Sequence, residues 1–217
     1  MKRIFLTFLA SCVALGGMAN KFNELLLQYA TDFKVNQLLF VRCTGGSHAT
    51  IEYYVRDSVT KKWVLDKAGS GPGFIGKNGL GKTRAGDVKT PVGTFTARQA
   101  FGIKPNPGAK LKYCHVNSTT YGCGDAHFYN RIVDVSNPKY RHACKGEKMW
   151  TYVPQYNYGL ETTYNDNNVV GKGAAIFIHV KGKYPYTGGC VSMDEDKMKH
   201  IVMTATEGIK ICIYKDE

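Results

Sequence analysis

Apolar residues along this chain more often run together or alternate than recur at helical spacing. Leu38 to Cys43 is an apolar run of strand length, and Thr50 to Arg56 alternates, with Ile51, Tyr53 and Val55 on one face. The polar stretch Ser58 to Lys62 turns the chain into Trp63, Val64 and Leu65, so the pattern predicts a β-meander opening the domain. Ahead of it, Phe22, Leu25, Leu26 and Tyr29 fall at i, i+3, i+4 and i+7, which predicts one or two helical turns in a short lead-in over residues 20–36. Residues 97–173, with Pro105, Pro107, Pro138 and Pro154 among scattered Asn and Tyr, read as long loops and short strands. Regular pattern returns at Gly173 to Val180, a β-rich run carrying His179 near its end. Cys190 to Met193 then leads into a helical stripe of Met198, Ile201, Val202 and Ala205. Ser192 followed by Glu195 reads as a capping box, Gly208 as the helix stop, and Ile209 to Tyr214 as a closing strand. The expectation is a mainly β fold, with one helix after Cys190 and long loop insertions.

Composition sharpens this reading. The chain has 217 residues, of which 43% are hydrophobic and 21% charged, which excludes wholesale disorder. A formal charge of +12 suits an anionic partner, whether nucleic acid, a membrane surface or an acidic cell-wall polymer. The N-terminus narrows that choice. Lys2 and Arg3 precede an uncharged, mostly apolar run from Ile4 to Ala19, and Gly17 to Ala19 supplies the small residues of a signal-peptidase site. The expectation is a signal peptide over residues 1–19 and a protein exported to the periplasm, cell surface or cell wall. The competing reading, lipidation at Cys12 after Leu9-Ala10-Ser11, is opposed by the apolar run continuing through Val13, Ala14 and Leu15. An exported basic protein is an unsuitable nucleic-acid reader, so no nucleic-acid partner is expected. The seven cysteines agree with an oxidising compartment, where most would pair.

Residues 69–93 are dense in glycine but contain no phosphate-loop pattern, since Gly76 falls one position late for Gly81-Lys82-Thr83. The candidate chemistry lies further on. Cys190 follows Gly188 and Gly189, whose backbone can turn N–H groups toward one point, the arrangement an oxyanion hole needs. Beside a helix N-terminus its thiolate would be favoured, and His179, eleven residues earlier, is the candidate general base. A thiol with an imidazole is an activated acyl-transfer nucleophile. His115, His127 and His142 lie among Cys114, Cys123 and Cys144, but the spacings are loose and contain no paired half-site, so no metal site is expected. Disulfides within that cysteine group are the simpler reading. Lys89 and Arg84 read as a solvated basic loop rather than a groove lining, and the Tyr-rich stretch from Tyr152 to Tyr164 carries no signal.

Two stretches carry a family resemblance. Gly86-Asp-Val-Lys-Thr-Pro-Val-Gly-Thr-Phe95 resembles the G-D-x-K-T-P-x-G-x-F signature of L,D-transpeptidases with the YkuD-type catalytic domain. Ile178-His179 through Thr187-Gly-Gly-Cys-Val-Ser-Met193 is similar to the catalytic stretch of the same family. The resemblance spans roughly residues 37–214. It implies a β-sandwich-like catalytic domain over residues 37–217, a Cys190 nucleophile, a His179 base, and Thr187, Gly188 and Gly189 positioning the substrate. It also implies peptidoglycan stem peptides as partners and no cofactor. The chain departs from the commonest pattern, Ser-His-Gly-Cys, by carrying Gly188 where the second histidine stands, and by Val191-Ser192-Met193 where Arg or Asn follows the cysteine. The resemblance therefore implies a transpeptidase making 3→3 cross-links. A carboxypeptidase hydrolysing the same acyl-enzyme, or a silent wall-binding protein with Cys190 in a disulfide, are the alternatives.

Overall fold

The computed structural model describes residues 20–140, 144 and 146–215. The signal peptide read in residues 1–19 and His142 lie outside the described residues. The lead-in forms helix α1 (Lys21–Gln28), capped by Asn20, whose side chain accepts from Phe22 N. Strands β1 (Gln37–Gly45), β2 (His48–Arg56) and β3 (Trp63–Phe74) form the expected meander. The short strands β4 (Gly93–Phe95), β5 (Ala97–Gly102), β6 (Tyr113–His115), β7 (Thr120–Cys123), β8 (Arg131–Asp134) and β9 (Gly146–Lys148) occupy the middle of the chain. They are followed by β10 (Gly159–Thr162), β11 (Phe177–Val180), β12 (Val191–Met193), helix α2 (Glu195–Thr204) and β13 (Lys210–Lys215).

Ten strands make one long curled sheet in the order β4-β13-β1-β2-β3-β12-β11-β10-β5-β6, and β8-β7-β9 form a small second sheet. The architecture is mainly β and sandwich-like, with the later helix α2 packed on it. Most pairings are antiparallel, but β1 with β13, β11 with β12, and β5 with β6 run parallel.

The continuous apolar run Leu38 to Val41 has a physical reason: strand β1 is buried on both faces. Leu39 and Val41 point into the main core with Ile51, Tyr53, Leu160, Ile178, Val191, Met193 and the α2 residues Met198, Ile201 and Val202. Leu38 and Phe40 point the other way, into a cluster with Cys212, Tyr214, the α1 residue Leu25 and the helix's C-cap Tyr29. Each fully buried Leu or Phe side chain contributes about 1.5–3 kcal/mol, so β1 is the spine of the fold.

The end of α1 is held by Arg56, whose guanidinium donates to the carbonyls of Tyr29 (2.5 Å), Val35 (3.0 Å) and Asp32 (3.2 Å). The same guanidinium lies 4.0 Å over the Trp63 ring. It supplies the carbonyl-capping cation that the last turn of α1 otherwise lacks.

The capping expectation needs correction. Ser192 lies in strand β12, paired with His179, and the N-cap position of α2 is Asp194, whose side chain makes no capping bond, with Glu195 as the first helical residue. The residues from Val191 to Met193 are buried and laddered between β11 and β3, so strand pairing overrides the local capping signal. Gly208, with φ +86, sits in the turn after α2 rather than at its end, which is Thr204.

Candidate active site

Strand β11 carries His179, and the parallel strand β12 begins one residue after Cys190. The register sets His179 beside Ser192. Cys190, two residues before Ser192, therefore comes level with Phe177 on the same side of the sheet as His179. Both side chains line one cavity of about 640 Å³, with Lys82, Glu147, Tyr152, Tyr156 and Ser192 on its wall.

The Cys190 thiol donates to the carbonyl of Ala175 at 3.1 Å, and its sulfur accepts from Phe177 N–H at 3.4 Å. Ala175 holds φ +55, a left-handed conformation stabilised by its N–H donating to Asn130 Oδ1 at 3.0 Å. His179 is 6% exposed and donates from Nδ1 to the Val180 carbonyl at 2.7 Å, which leaves Nε2 as the acceptor nitrogen. The Tyr156 ring meets the imidazole edge-on, with centroids 5.5 Å apart.

Electrostatics correct a second expectation. Burial pushes the Cys190 thiol up to about 12, with the nearby Glu147 carboxylate adding to the effect and the Phe177 N–H and Lys82 ammonium opposing it. Burial likewise pulls His179 down to about 4, against the upward pull of the Val180 carbonyl. The resting pair is a neutral thiol and a neutral imidazole, not a thiolate. Helix α2 starts five positions after Cys190, beyond strand β12, so it is not the immediate helix N-terminus that the sequence suggested.

The turn ahead of the cysteine is held from several sides. Gly189 adopts φ +140 and lies so close to the chain that a Cβ there would meet the Lys89 carbonyl at 2.8 Å. Its N–H donates to Thr187 Oγ1 at 3.0 Å, and Thr187 Oγ1 donates to the Cys190 carbonyl at 2.7 Å. Gly189 N–H is thereby engaged. Among the described residues nothing accepts from the N–H groups of Gly188 and Cys190, which leave the open donors of the turn.

Several residues of the site were not legible as such. Thr90, fully buried, donates to the carbonyls of Gly189 (2.8 Å) and Cys190 (3.2 Å) and accepts from Gly76 N–H. Asp87 gathers the Lys82 ammonium and the N–H groups of Thr83, Arg84 and Lys89. Burial opposes its ionisation, yet these donors hold its carboxyl well below the usual range. The cations that line the cavity are Lys82 and Lys183, whereas Lys89 and Arg84 stand outside its wall. Tyr156, from the stretch that carried no signal, is in contact with His179 and donates its hydroxyl to Glu147 at 2.8 Å. His115, His127 and His200 lie elsewhere, bonded to the Ile103 carbonyl, Asp125 and Asp66.

No disulfide joins the described cysteines. Within the loop group, the Cys123 thiol lies close enough to the Cys144 thiol to push it up, whereas Cys114 lies on β6 of the large sheet.

No curated protein matches the chain significantly. The family known as YkuD, the L,D-transpeptidase catalytic domain, matches residues 46–213, from the β1–β2 turn to the closing strand and so through every element of the site, and the chain belongs to that family.

Proposed function

We propose that this is an exported cysteine L,D-transpeptidase that forms 3→3 cross-links between peptidoglycan stem peptides through an acyl-enzyme on Cys190. The supporting observation is the pairing of β11 with β12, which brings a half-buried thiol and a Nδ1-anchored imidazole to one cavity. The domain family supports the reaction class, and the cavity holds the thiol and the imidazole that it needs. Leader and charge support the location: Lys2 and Arg3 precede an uncharged run ending at Ala19, and a charge of +12 suits an anionic wall. On this reading residues 1–19 are removed, 20–36 are the lead-in, and 37–217 are the catalytic domain.

The neutral pair dictates the order of proton movement. As sulfur attacks the carbonyl of the third, L-centred residue, the thiol proton passes to His179 Nε2, so charge never resides on an unassisted thiolate. The open N–H groups of Gly188 and Cys190 are the donors for the developing oxyanion. On collapse, the carbon–nitrogen bond to the terminal D-Ala breaks and the imidazolium returns its proton to the leaving amine. An amine of a neighbouring stem then attacks the thioester, gives its proton to His179, and releases the thiol.

One observation favours hydrolysis as the second reading. Gly188 is exposed at the rim, and nothing lies within 4 Å of the place where its side chain would begin. Water has access where the commoner sequence pattern carries a histidine. Mass spectrometry decides between the two. With a tetrapeptide donor and excess acceptor stem, the transpeptidase yields mainly cross-linked dimer, and tripeptide unchanged by added acceptor would establish a carboxypeptidase. Turnover retained by folded Cys190→Ala would overturn both.

A further inference from the structure

The chain treats two of its inward-facing carboxylates differently. Glu161, 2% exposed, is matched by Arg98 Nη1 at 2.7 Å and Gln99 Nε2 at 2.7 Å. Glu147 is half-buried, on β9 where it pairs with Gly122. Its hydrogen bond is the neutral Tyr156 hydroxyl, and among the described residues it forms no ion pair: Lys82, on the same cavity wall, is bound to Asp87, and Lys183 lies over Tyr184. A desolvated carboxylate with one neutral donor is incompletely satisfied, and a cation is what would satisfy it.

Glu147 differs from Glu161 in a second way, because it lines the cavity that holds Cys190 and His179. A Cβ placed on Gly122 would lie 3.5 Å from Glu147 Oε2 and 3.6 Å from Ala175 Cβ, and the Ala175 carbonyl accepts from the Cys190 thiol. On the other side, Tyr156 bonds Glu147 through its hydroxyl and meets His179 with its ring. Tyr152 stacks on Tyr156 at 4.9 Å, so aromatic faces border the carboxylate. Aromatic faces and a carboxylate together suit an ammonium group.

We propose that Glu147, bordered by Tyr152 and Tyr156, is the subsite for an ammonium group on the side chain of the residue that acylates Cys190. The inference rests on the acyl-transfer reading above and adds to it the residues that read the donor's third side chain through its distal ammonium. The site also couples binding to reactivity. Burial pulls the Glu147 carboxyl upward and the Tyr156 hydroxyl opposes it, while the carboxylate charge in turn disfavours ionisation of Cys190. An ammonium placed on Glu147 cancels that charge, so the matching donor relieves the nucleophile as it docks.

The test uses two synthetic tetrapeptide donors that differ only at the third residue, lysine or norleucine, with D-Ala release measured on the purified protein. The wild type should favour the lysine donor by about tenfold or more in kcat/KM, mostly through KM, the scale of a charge-assisted contact. Glu147→Gln should bring that ratio close to one, and Tyr156→Phe should reduce it while leaving the carboxylate in place. Glu147→Gln should also alkylate faster than wild type with iodoacetamide at pH 8, by several-fold, because a negative charge beside the sulfur is gone. A mutation that merely loosened the fold would not lower donor discrimination and raise alkylation in this combination. If the wild type turns over both donors equally, or if Glu147→Gln keeps the preference, the subsite is wrong while the acyl-transfer reading stands. If the wild type releases D-Ala from neither donor and from no stem tetrapeptide, the acyl-transfer reading itself fails.

Discussion

The Thr90 hydroxyl donates to the carbonyl of Gly189 at 2.8 Å, across 99 positions of sequence. One side chain thus fastens the glycine-rich loop of the first motif to the turn that presents Cys190. Since Gly76 N–H donates to the same oxygen, Thr90 links three segments, residues 76, 90 and 189. Thr90→Val keeps the shape and removes both roles, leaving a buried N–H and a buried carbonyl unsatisfied. The expected cost is about 1–3 kcal/mol of stability. Acylation should slow by about tenfold or more as the turn loosens, since small misplacements at a reacting centre are costly. Thermal denaturation and burst measurement of D-Ala release check both; wild-type values in each would remove Thr90 from the site.

The neutral pair has a characteristic dependence on pH. His179 acts as base only when unprotonated, and its value near 4 keeps it so through the neutral range. Cys190 near 12 remains a thiol over the same span. Acylation should therefore be flat around neutrality and fall as pH drops through about 4. A thiolate–imidazolium pair would instead show an acidic limb set by a depressed thiol. Stability follows with the same sign. The unfolded chain gains a proton at histidine below about 6.5 that the folded chain refuses until about 4, so stability is lost as pH falls through that window. His179→Ala should remove this contribution and slow acylation by about 10²–10⁴-fold. An acylation rate that already declines between pH 7 and 6 would contradict the neutral pair.

Much of this fold was legible because local pattern and tertiary demand agree. The run Leu38 to Val41 and the alternation through Ile51 and Tyr53 each match a strand face that the core fills. Cys190 and His179 were legible because their residue types imply chemistry and their flanking motifs resemble a family. What was not legible depends on contacts between distant segments. Ser192 and Glu195 satisfy a helix-capping pattern locally, but Ser192 ladders beside His179, and only the tertiary pairing reveals it. Tyr156 and Glu147 lie in an irregular stretch with no period. They acquire meaning only when β9 and the segment before β10 meet β11. The charge state of the thiol was misjudged for a related reason: burial, not sequence neighbours, sets it.

The cysteines divide by position. Cys43 belongs to the main core and Cys212 to the outer cluster on the opposite face of β1 and β13, so these two do not meet. The neighbouring thiols of Cys123 and Cys144 are the interacting pair of the loop group. In protein prepared under oxidising conditions, with a disulfide oxidant such as oxidised glutathione accepting the electrons, non-reducing peptide mapping should find Cys123 joined to Cys144. Cys114, which burial pushes up to about 11, should remain a slowly reacting thiol. A bridge between Cys114 and either partner, or one that includes Cys190 in active protein, would contradict this assignment.

The two glycines before the nucleophile should respond oppositely to the same small change. At Gly188 the space where a Cβ would sit is open, and its φ lies outside the left-handed region. At Gly189 the φ is +140, and a Cβ would stand 2.8 Å from the Lys89 carbonyl and 3.3 Å from Ile176 Cδ1. Gly188→Ala should therefore change stability by no more than about 0.5 kcal/mol, the usual range for an unencumbered surface position. Gly189→Ala must displace main chain and adopt a conformation that L side chains rarely hold, at a cost of about 1–3 kcal/mol. Its larger effect should fall on the reaction. The Gly189 carbonyl accepts from Thr90, its N–H donates to Thr187, and the next residue is Cys190. Any shift there moves the sulfur relative to His179, so Gly189→Ala should lose most acylation even where the fold survives. Parallel denaturation curves and acyl-enzyme mass spectra for the two variants make the comparison. Equal behaviour of the pair would mean that the turn is not the rigid support of the nucleophile that its contacts describe.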